Sequence, residues 1–240
     1  MSEGQKAKKT KNTETRRGFL KKTAAIGGAT LLAGTGLGQK STRAQDLSRE
    51  KQALYLDHSL CIECQACRVA CQNENDFPIT AQSIRFESYE QGSYPEVEYR
   101  GARLSCFHCN DAPCIDICPV DALEKDVGEM TVTDIETCIG CEMCVTACPY
   151  GVPEVIDEKM YKCNGCDHLL VHDQIPACVT TCPTYAMEFG SQKEMAELGR
   201  ERVSNLEAEG EDAYLYGLEA QDGLGLLMVL RASPENFDLV

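Results

Sequence analysis

Apolar residues in this chain come in short runs separated by turn-forming residues, a pattern typical of small strands. Six runs predict strands, at residues 84–89, 96–103, 122–124, 130–133, 152–156 and 186–189. The first two flank Gln-Gly-Ser-Tyr-Pro at 91–95, and the next two flank Asp-Val-Gly-Glu at 126–129. Each of these two pairs therefore predicts a β-hairpin.

Two later segments differ from this pattern. The apolar positions of residues 194–207 recur at loosely helical spacing and predict one amphipathic helix. The longest later apolar run, Leu224 to Leu230, is interrupted by Gly225 and is far shorter than the ~20 residues that span a bilayer. Two interpretations of this run stay open: a core strand, or an exposed docking surface for a partner.

The first 44 residues have the organisation of an export signal. A basic segment with Arg16 and Arg17 precedes a weakly apolar stretch at 24–38, and Thr-Arg-Ala at 42–44 suits a signal peptidase. The arginine pair followed by Phe-Leu-Lys resembles the twin-arginine signal, although a chance pair before an ordinary amphipathic helix is the alternative. We therefore expect a periplasmic protein, or one on the outer face of the cytoplasmic membrane, with no membrane span in the mature chain.

Charge and composition narrow the function classes. The net charge is −15, and ten of the 23 Lys and Arg residues lie in the first 44 positions. The remaining chain is strongly acidic, which argues against nucleic acid as a partner. Aromatic residues make up only 6% and Trp is absent, so packing can supply only modest cores. Cofactors bound to distant segments would add the missing cross-links.

All 16 cysteines fall into four groups of four, here called motifs one to four. The motifs are Cys61-x2-Cys64-x2-Cys67-x3-Cys71; Cys106-x2-Cys109-x4-Cys114-x3-Cys118-Pro; Cys138-x2-Cys141-x2-Cys144-x3-Cys148-Pro; and Cys163-x2-Cys166-x11-Cys178-x3-Cys182-Pro. Two residues between thiolates let a tight loop wrap a [4Fe–4S] cubane. A helical stretch between the third and fourth cysteine rises ~6 Å and carries the last thiolate toward a second cluster.

Other uses of cysteine fit this spacing less well. Structural zinc sites close with two pairs of ligands and do not require a C-x2-C-x2-C-x3-C-Pro run. Cysteines two residues apart suit a disulfide framework poorly, and no C-x-x-C-His haem motif occurs. Beside the loops, His108, His168, Arg68, Lys159 and Lys162 are candidates for tuning a cluster potential, or are ordinary neighbouring side chains.

The motifs also resemble a known family. The segment from Cys61 to Asn75 is similar to the first motif of the four-cluster iron–sulfur subunits of molybdopterin oxidoreductases. These include subunits of DMSO, polysulfide and thiosulfate reductases, of formate dehydrogenase, and the electron-transfer protein of cytochrome nitrite reductase. Lys-Cys-Asn-Gly-Cys-Asp at 162–167 resembles the fourth motif. The resemblance covers roughly residues 53–190, and 191–240 is weakly similar to the tail of formate-dehydrogenase-type members.

The resemblance implies an α+β fold of two interleaved bacterial-ferredoxin-like dicluster units with short β-hairpins and a C-terminal extension. After a signal at 1–44, the outer unit would occupy 45–102 and 158–190, the inner unit 103–157, and a C-terminal helix with a docking tail 191–240. Four [4Fe–4S] clusters are implied, since Cys141 stands where some relatives have Trp. The implied ligand sets are Cys61, Cys64, Cys67 with Cys182; Cys163, Cys166, Cys178 with Cys71; Cys106, Cys109, Cys114 with Cys148; and Cys138, Cys141, Cys144 with Cys118.

By the same resemblance, the chain is expected to relay single electrons between a molybdopterin-containing catalytic subunit and a membrane quinone-reactive or cytochrome subunit. The motif-one unit would face the catalytic subunit, and the inner unit the membrane partner. Sixteen ligands for 16 cluster positions leave no open iron for catalysis, so we expect no catalytic residues in this chain. The alternative is a free-standing exported multicluster ferredoxin that carries electrons between separate enzymes.

Overall fold

A computed structural model describes residues 51–237 and residue 239 of the 240-residue chain, so the export signal predicted at 1–44 lies outside the described residues. The strands are β1 (Gln52–Asp57), β2 (Ile84–Ser93), β3 (Glu96–Ser105), β4 (Leu123–Asp126), β5 (Met130–Thr133), β6 (Glu154–Ile156), β7 (Lys159–Tyr161), β8 (Met187–Ser191), β9 (Tyr214–Tyr216) and β10 (Leu226–Leu230). The helices are α1 (Ala66–Glu74), α2 (Pro113–Asp116), α3 (Met143–Ala147), α4 (Asp167–Leu170), α5 (Ala177–Thr180) and α6 (Gln192–Ala208), with short 3₁₀ turns at Val127–Glu129, Ala220–Asp222 and Pro234–Phe237. Small sheets and short helices alternate, which confirms the α+β class.

The first and last strands lie side by side at the centre of a four-stranded sheet of order β8-β1-β10-β9. β1 pairs parallel with β10, with Leu54 opposite Leu226, and antiparallel with β8. Both central strands are buried along their whole length. A strand buried on both faces reads as a continuous apolar run, which explains the run at Leu224–Leu230.

The two faces of this sheet have different neighbours. Leu54, Leu226 and Met228 point into the main core, which also contains many of the cysteines. Their neighbours Tyr55 and Leu227 point to the opposite face and pack against α6. The docking interpretation of Leu224 to Leu230 is therefore wrong, because this run is a core strand and presents no apolar surface to a partner.

Helix α6 confirms the amphipathic helix predicted at 194–207. It starts directly after β8, where Ser191 and Glu194 form a reciprocal capping box that satisfies the first backbone N–H groups. Near its other end the Arg202 Nε donates to Asp57 Oδ2 at 2.7 Å and Nη2 donates to Ser59 Oγ at 2.7 Å. This contact ties the helix to the end of β1, just before the first cysteine loop.

Both predicted β-hairpins are confirmed. β2 and β3 pair from Ile84 opposite Ser105 to Ser93 opposite Glu96. β2 therefore runs further toward the turn than the sequence pattern indicated, and β3 starts as predicted but ends two residues later. β4 and β5 pair around the turn at 126–129. The strand predicted at 152–156 is observed as β6, but its partner β7 was not predicted. The strands β1 and β9 were also missed, because β9 is short and the partners of β1 are remote in sequence.

No helix in the described ranges is both long enough and apolar enough to cross a membrane.

The C-terminal sheet contacts the middle of the chain through aromatic rings. Phe107 stacks on Tyr150 with ring centroids 4.0 Å apart, and the Tyr150 hydroxyl lies 3.0 Å from that of Tyr216 in β9. Residues after 190 are thus part of the same core as the cysteine loops.

Candidate metal-cluster sites

Three cavities of similar volume are each lined by four cysteines. In every case three cysteines come from one motif and the fourth comes from another. We call them site A (Cys61, Cys64, Cys67, Cys182), site C (Cys106, Cys109, Cys114, Cys148) and site D (Cys118, Cys138, Cys141, Cys144). The similar volume and the shared composition indicate that the three cavities are built for the same kind of group.

A fourth set, site B (Cys71, Cys163, Cys166, Cys178), is more deeply enclosed. Burial, together with the nearby thiols of the other three cysteines, raises the pKa of Cys163. The Asn75 amide lies 3.7 Å from the Cys71 Sγ and 3.8 Å from the Cys166 Sγ, so it joins the motif-one cysteine to motif four. The chain thus brings together the four cysteine sets that the family resemblance implied; which of them bind iron stays a prediction.

The cysteine loops share one backbone feature. The residue before the second cysteine of each motif has a left-handed conformation, with φ of 53° at Glu63, 48° at His108, 64° at Gly140 and 69° at Gly165. This turn curls the loop around its cavity. At Gly140 a Cβ would lie 2.4 Å from the Glu158 carbonyl oxygen, so this close approach as well as the conformation requires glycine.

Backbone N–H groups point at several of the cysteine sulfurs. The N–H of His108 lies 3.5 Å from the Cys106 Sγ, that of Gly165 lies 3.4 Å from the Cys163 Sγ, and that of Ala122 lies 3.3 Å from the Cys118 Sγ. Hydrogen bonds to sulfur are one of the means by which proteins set the potential of an iron–sulfur cluster. The loops therefore provide donors for thiolates as well as the thiolates themselves.

Short helices place the fourth cysteine of each motif. α2, α3 and α5 are four or five residues long and end close to Pro119, Pro149 and Pro183, because proline cannot continue a helix. α1 has no proline after Cys71 and continues to Glu74. As a result α1 and α5 each contribute to sites A and B, and α2 and α3 contribute to sites C and D.

Burial raises the pKa of most of these cysteine thiols. It raises the pKa of Cys109 to about 12, that of Cys114 to about 11 and that of Cys178 to about 12, with nearby thiols as a further cause. Metal ligation requires thiolates, so iron binding must displace these protons. Across the described residues no three His, Cys, Asp or Glu side chains converge as ligands of a single metal ion would. The cysteines instead surround a volume, which fits a polynuclear cluster.

The four sites form a series with two exposed ends. Cys64 of site A and Cys141 of site D are exposed, whereas all four cysteines of site B are buried. Site B adjoins site C, because Cys163 lies near enough to Cys106 for an electrostatic interaction, and site C adjoins site D through Cys114 and Cys144. The order along the molecule is therefore A, B, C, D.

The polar residues beside the sites only partly match expectation. His168 is exposed and bonds Glu74 at 3.1 Å, whereas His108 is fully buried and its Nδ1 accepts from the Thr131 N–H at 3.0 Å. Lys159 donates to the Cys138 carbonyl oxygen at 2.8 Å. Asn75 and Arg103 also lie among the cysteines but were not predicted to do so: Asn75 ends the motif-one segment without a role assigned to it, and Arg103 lies outside the motifs.

Comparisons with known proteins agree with this chemistry. A family model described as a 4Fe-4S dicluster domain matches residues 97–192, and one described as a 4Fe-4S binding domain matches residues 58–74.

Several characterised relatives are similar over most of the chain. The iron-sulfur subunit of the nitrate-inducible formate dehydrogenase of Escherichia coli (strain K12) is 36% identical over 205 residues, covering 76% of this chain and 69% of the relative. Protein NrfC of the same organism is 34% identical over 199 residues, covering 79% and 87%. The thiosulfate reductase electron transfer subunit PhsB of Salmonella typhi is 40% identical over 139 residues, covering 56% and 72%. The chain thus belongs to the family of molybdoenzyme-associated 4Fe-4S subunits and is an iron–sulfur electron-transfer subunit.

Proposed function

We propose that this chain holds four [4Fe–4S] clusters, one in each of sites A to D, and conducts single electrons along that series. The observation that carries the proposal is the continuous order of four cysteine sets, each composed of three cysteines from one motif and one from its partner motif. When bound, each cluster supplies a one-electron centre whose potential depends on its surroundings.

The protein's own contribution is to hold and shield these centres. The cysteines of sites A and B interleave motifs one and four, and those of sites C and D interleave motifs two and three. Residues 103–157 accordingly act as an inner unit inserted into an outer one. All four cysteines of site B are buried, and site C has one buried and three partly buried cysteines. The exposed cysteines lie at sites A and D, so exchange with partners takes place at the two ends.

The exposed ends are the proposed partner surfaces. At site A, Ile62 is 64% exposed beside Cys64, and at site D, Ile139 is 58% exposed beside Cys141. Exposed apolar residues beside a redox site favour contact with another protein. In keeping with the family order, site A faces a molybdopterin-containing catalytic subunit, and site D faces a quinone-reactive or cytochrome subunit in the membrane.

The first test is native, anaerobic purification. We expect about 16 Fe per chain and a co-purifying molybdenum-containing subunit. An iron content near 12, with a three-iron EPR signal, would contradict the four-cluster proposal. If the chain purifies alone under gentle conditions with all its iron, it is a free-standing multicluster ferredoxin instead.

The proposed location is the periplasm or the outer face of the cytoplasmic membrane, reached by the twin-arginine route. Replacing Arg16 and Arg17 with lysine should leave cluster-loaded protein in the cytoplasm, because the arginine pair is the signal that is read. Cell fractionation with iron analysis measures this. Unchanged export of the double variant would point to another route.

A further inference from the structure

A buried arginine lies between the first two sites of the series. Arg103, in β3, is only 1% exposed and lines the cavity of site A. Its positive charge also interacts with Cys67 of site A and with Cys71, Cys163 and Cys178 of site B. The guanidinium therefore stands at the junction of sites A and B.

Most of this guanidinium has no hydrogen-bond partner in the part of the chain that the structure describes. Nη1 donates to the Ser105 Oγ at 2.8 Å, but Nε and Nη2 have no hydrogen-bond acceptor among the described residues, and no described carboxylate pairs with Arg103. An unpaired buried ion costs several kcal/mol of desolvation, so such a residue needs a source of negative charge. Thiolate-bound clusters on either side would provide it.

A buried lysine occupies the next junction. Lys162 is 1% exposed and lines the cavity of site C, while its neighbour in sequence, Cys163, belongs to site B. Its Nζ donates to the carbonyl oxygens of Thr131 and Cys163 and to the side chain of Asn164. These acceptors are neutral, and no carboxylate in the described ranges neutralises the charge.

We infer that Arg103 and Lys162 set the reduction potentials of the inner part of the series, Arg103 acting on sites A and B and Lys162 on sites B and C. Reduction adds one electron to a cluster that four thiolates already make negative. A fixed cation nearby favours that reduced form and raises the potential, and its effect is strong because burial keeps solvent from screening it. Site B lies between Arg103 and Lys162, so its reduction potential depends on both cations.

This inference rests on the proposed assignment of clusters to sites, so the assignment is measured first. In the full-length holoprotein, Cys64→Ser, Cys109→Ser and Cys141→Ser should each alter one EPR signal and thereby assign the signals of sites A, C and D, and the remaining signal belongs to site B. If fewer than four clusters appear, or the variants link signals to other cysteine sets, the proposed function fails independently of the two cations.

EPR-monitored redox titrations then test the cations. Arg103→Gln should lower the potentials of sites A and B and leave those of sites C and D unchanged. Lys162→Gln should lower the potentials of sites B and C and leave those of sites A and D unchanged. Both shifts should persist at high ionic strength. Ser105→Ala is the matched control, because it removes the hydrogen-bond partner of Arg103 but keeps the charge; it should leave all four potentials in place.

Further variants distinguish the loss of the positive charge from structural damage caused by the substitution. Arg103→Lys keeps the charge and should restore the potentials of sites A and B close to those of the unchanged protein. If Arg103→Gln retains four clusters but moves no potential, or moves all four equally, the inference is overturned. If Arg103→Gln loses clusters A and B, the titration of Lys162→Gln decides. A fall in reduction potential confined to sites B and C supports the inference, and unchanged potentials overturn it.

Discussion

The four sites use similar cysteine spacing, yet the protein supports site D differently from sites A, B and C. Cysteines of sites A, B and C share the main core with Leu54, Leu226 and other strand residues. Site D rests on two small hairpins, and the buried cluster around it consists, among the described residues, of Leu123, Cys144 and Met160. The spacing of cysteines therefore defines a site, but the surroundings decide how far that site depends on the protein core.

This contrast follows the position of each site in the series. In the proposed series electrons only pass through site B, which fits the burial of its four cysteines. Site D is the proposed end for contact with a partner, and its Cys141 is exposed. The small core at site D means that a bound cluster cross-linking α2, α3 and their hairpins contributes a larger share of local stability there.

The largest effect is expected when the support of sites A and B is removed altogether. Truncation after Gly190 deletes α6, β9 and the central strand β10, leaving one side of β1 unpaired and the main core open. We expect the truncated chain to lose clusters A and B and to precipitate. Anaerobic iron analysis and circular dichroism measure this. A soluble truncated chain with its full iron content would show that the sheet is dispensable.

Serine substitutions compare a buried cysteine ligand with an exposed one. Cys178→Ser alters a buried ligand of site B within the main core, so we expect loss of about half the iron as sites A and B fail together. Cys141→Ser alters the exposed ligand of site D and should affect that cluster alone, leaving the other three EPR signals unchanged. Equal losses in the two variants would remove the distinction between site D and the sites of the main core.

Cavity-creating substitutions compare the main core with the small core at site D without touching a ligand. Leu226→Ala, in the fully buried β10 and facing the main core, should cost about 2–5 kcal/mol of unfolding free energy. Leu123→Ala, beside site D, should cost about 2 kcal/mol, since fewer buried neighbours surround it. Urea titration of the holoprotein measures both. Leu226→Met is the volume-conserving control and should cost less than about 1.5 kcal/mol; a loss as large as that of the alanine variant would argue against cavity formation as the cause.

The smallest effect concerns the capping box that starts α6. Ser191→Ala removes the side chain that accepts from the Glu194 N–H and should destabilise the protein by about 1 kcal/mol. The thermal midpoint should fall slightly, with unchanged iron content, because the helix lies on the sheet face remote from the cysteines. Ser191→Thr retains a capping hydroxyl and should behave nearly like the unchanged protein. Loss of iron in the alanine variant would mean that α6 supports the clusters directly.

Much of the local structure could be read from sequence. The two hairpins and α6 were predicted because their signals are local: turn residues between short apolar runs, and apolar positions at helical spacing. The short helices before Pro119, Pro149 and Pro183 follow from proline's inability to continue a helix. The cysteine spacing likewise indicated the chemistry of the sites and the kind of cofactor.

The parallel pairing at the centre of the sheet and the burial of Arg103 and Lys162 were decided only by the tertiary structure. β1 and β10 lie at opposite ends of the described chain, so no local pattern indicates their parallel pairing, and an apolar run such as Leu226–Leu230 reads equally as a core strand or as an exposed patch. Arg103 belongs to a hairpin strand whose polar residues are compatible with solvent. Its burial follows from how the hairpin packs between sites A and B, and that depends on contacts made by residues far apart in sequence.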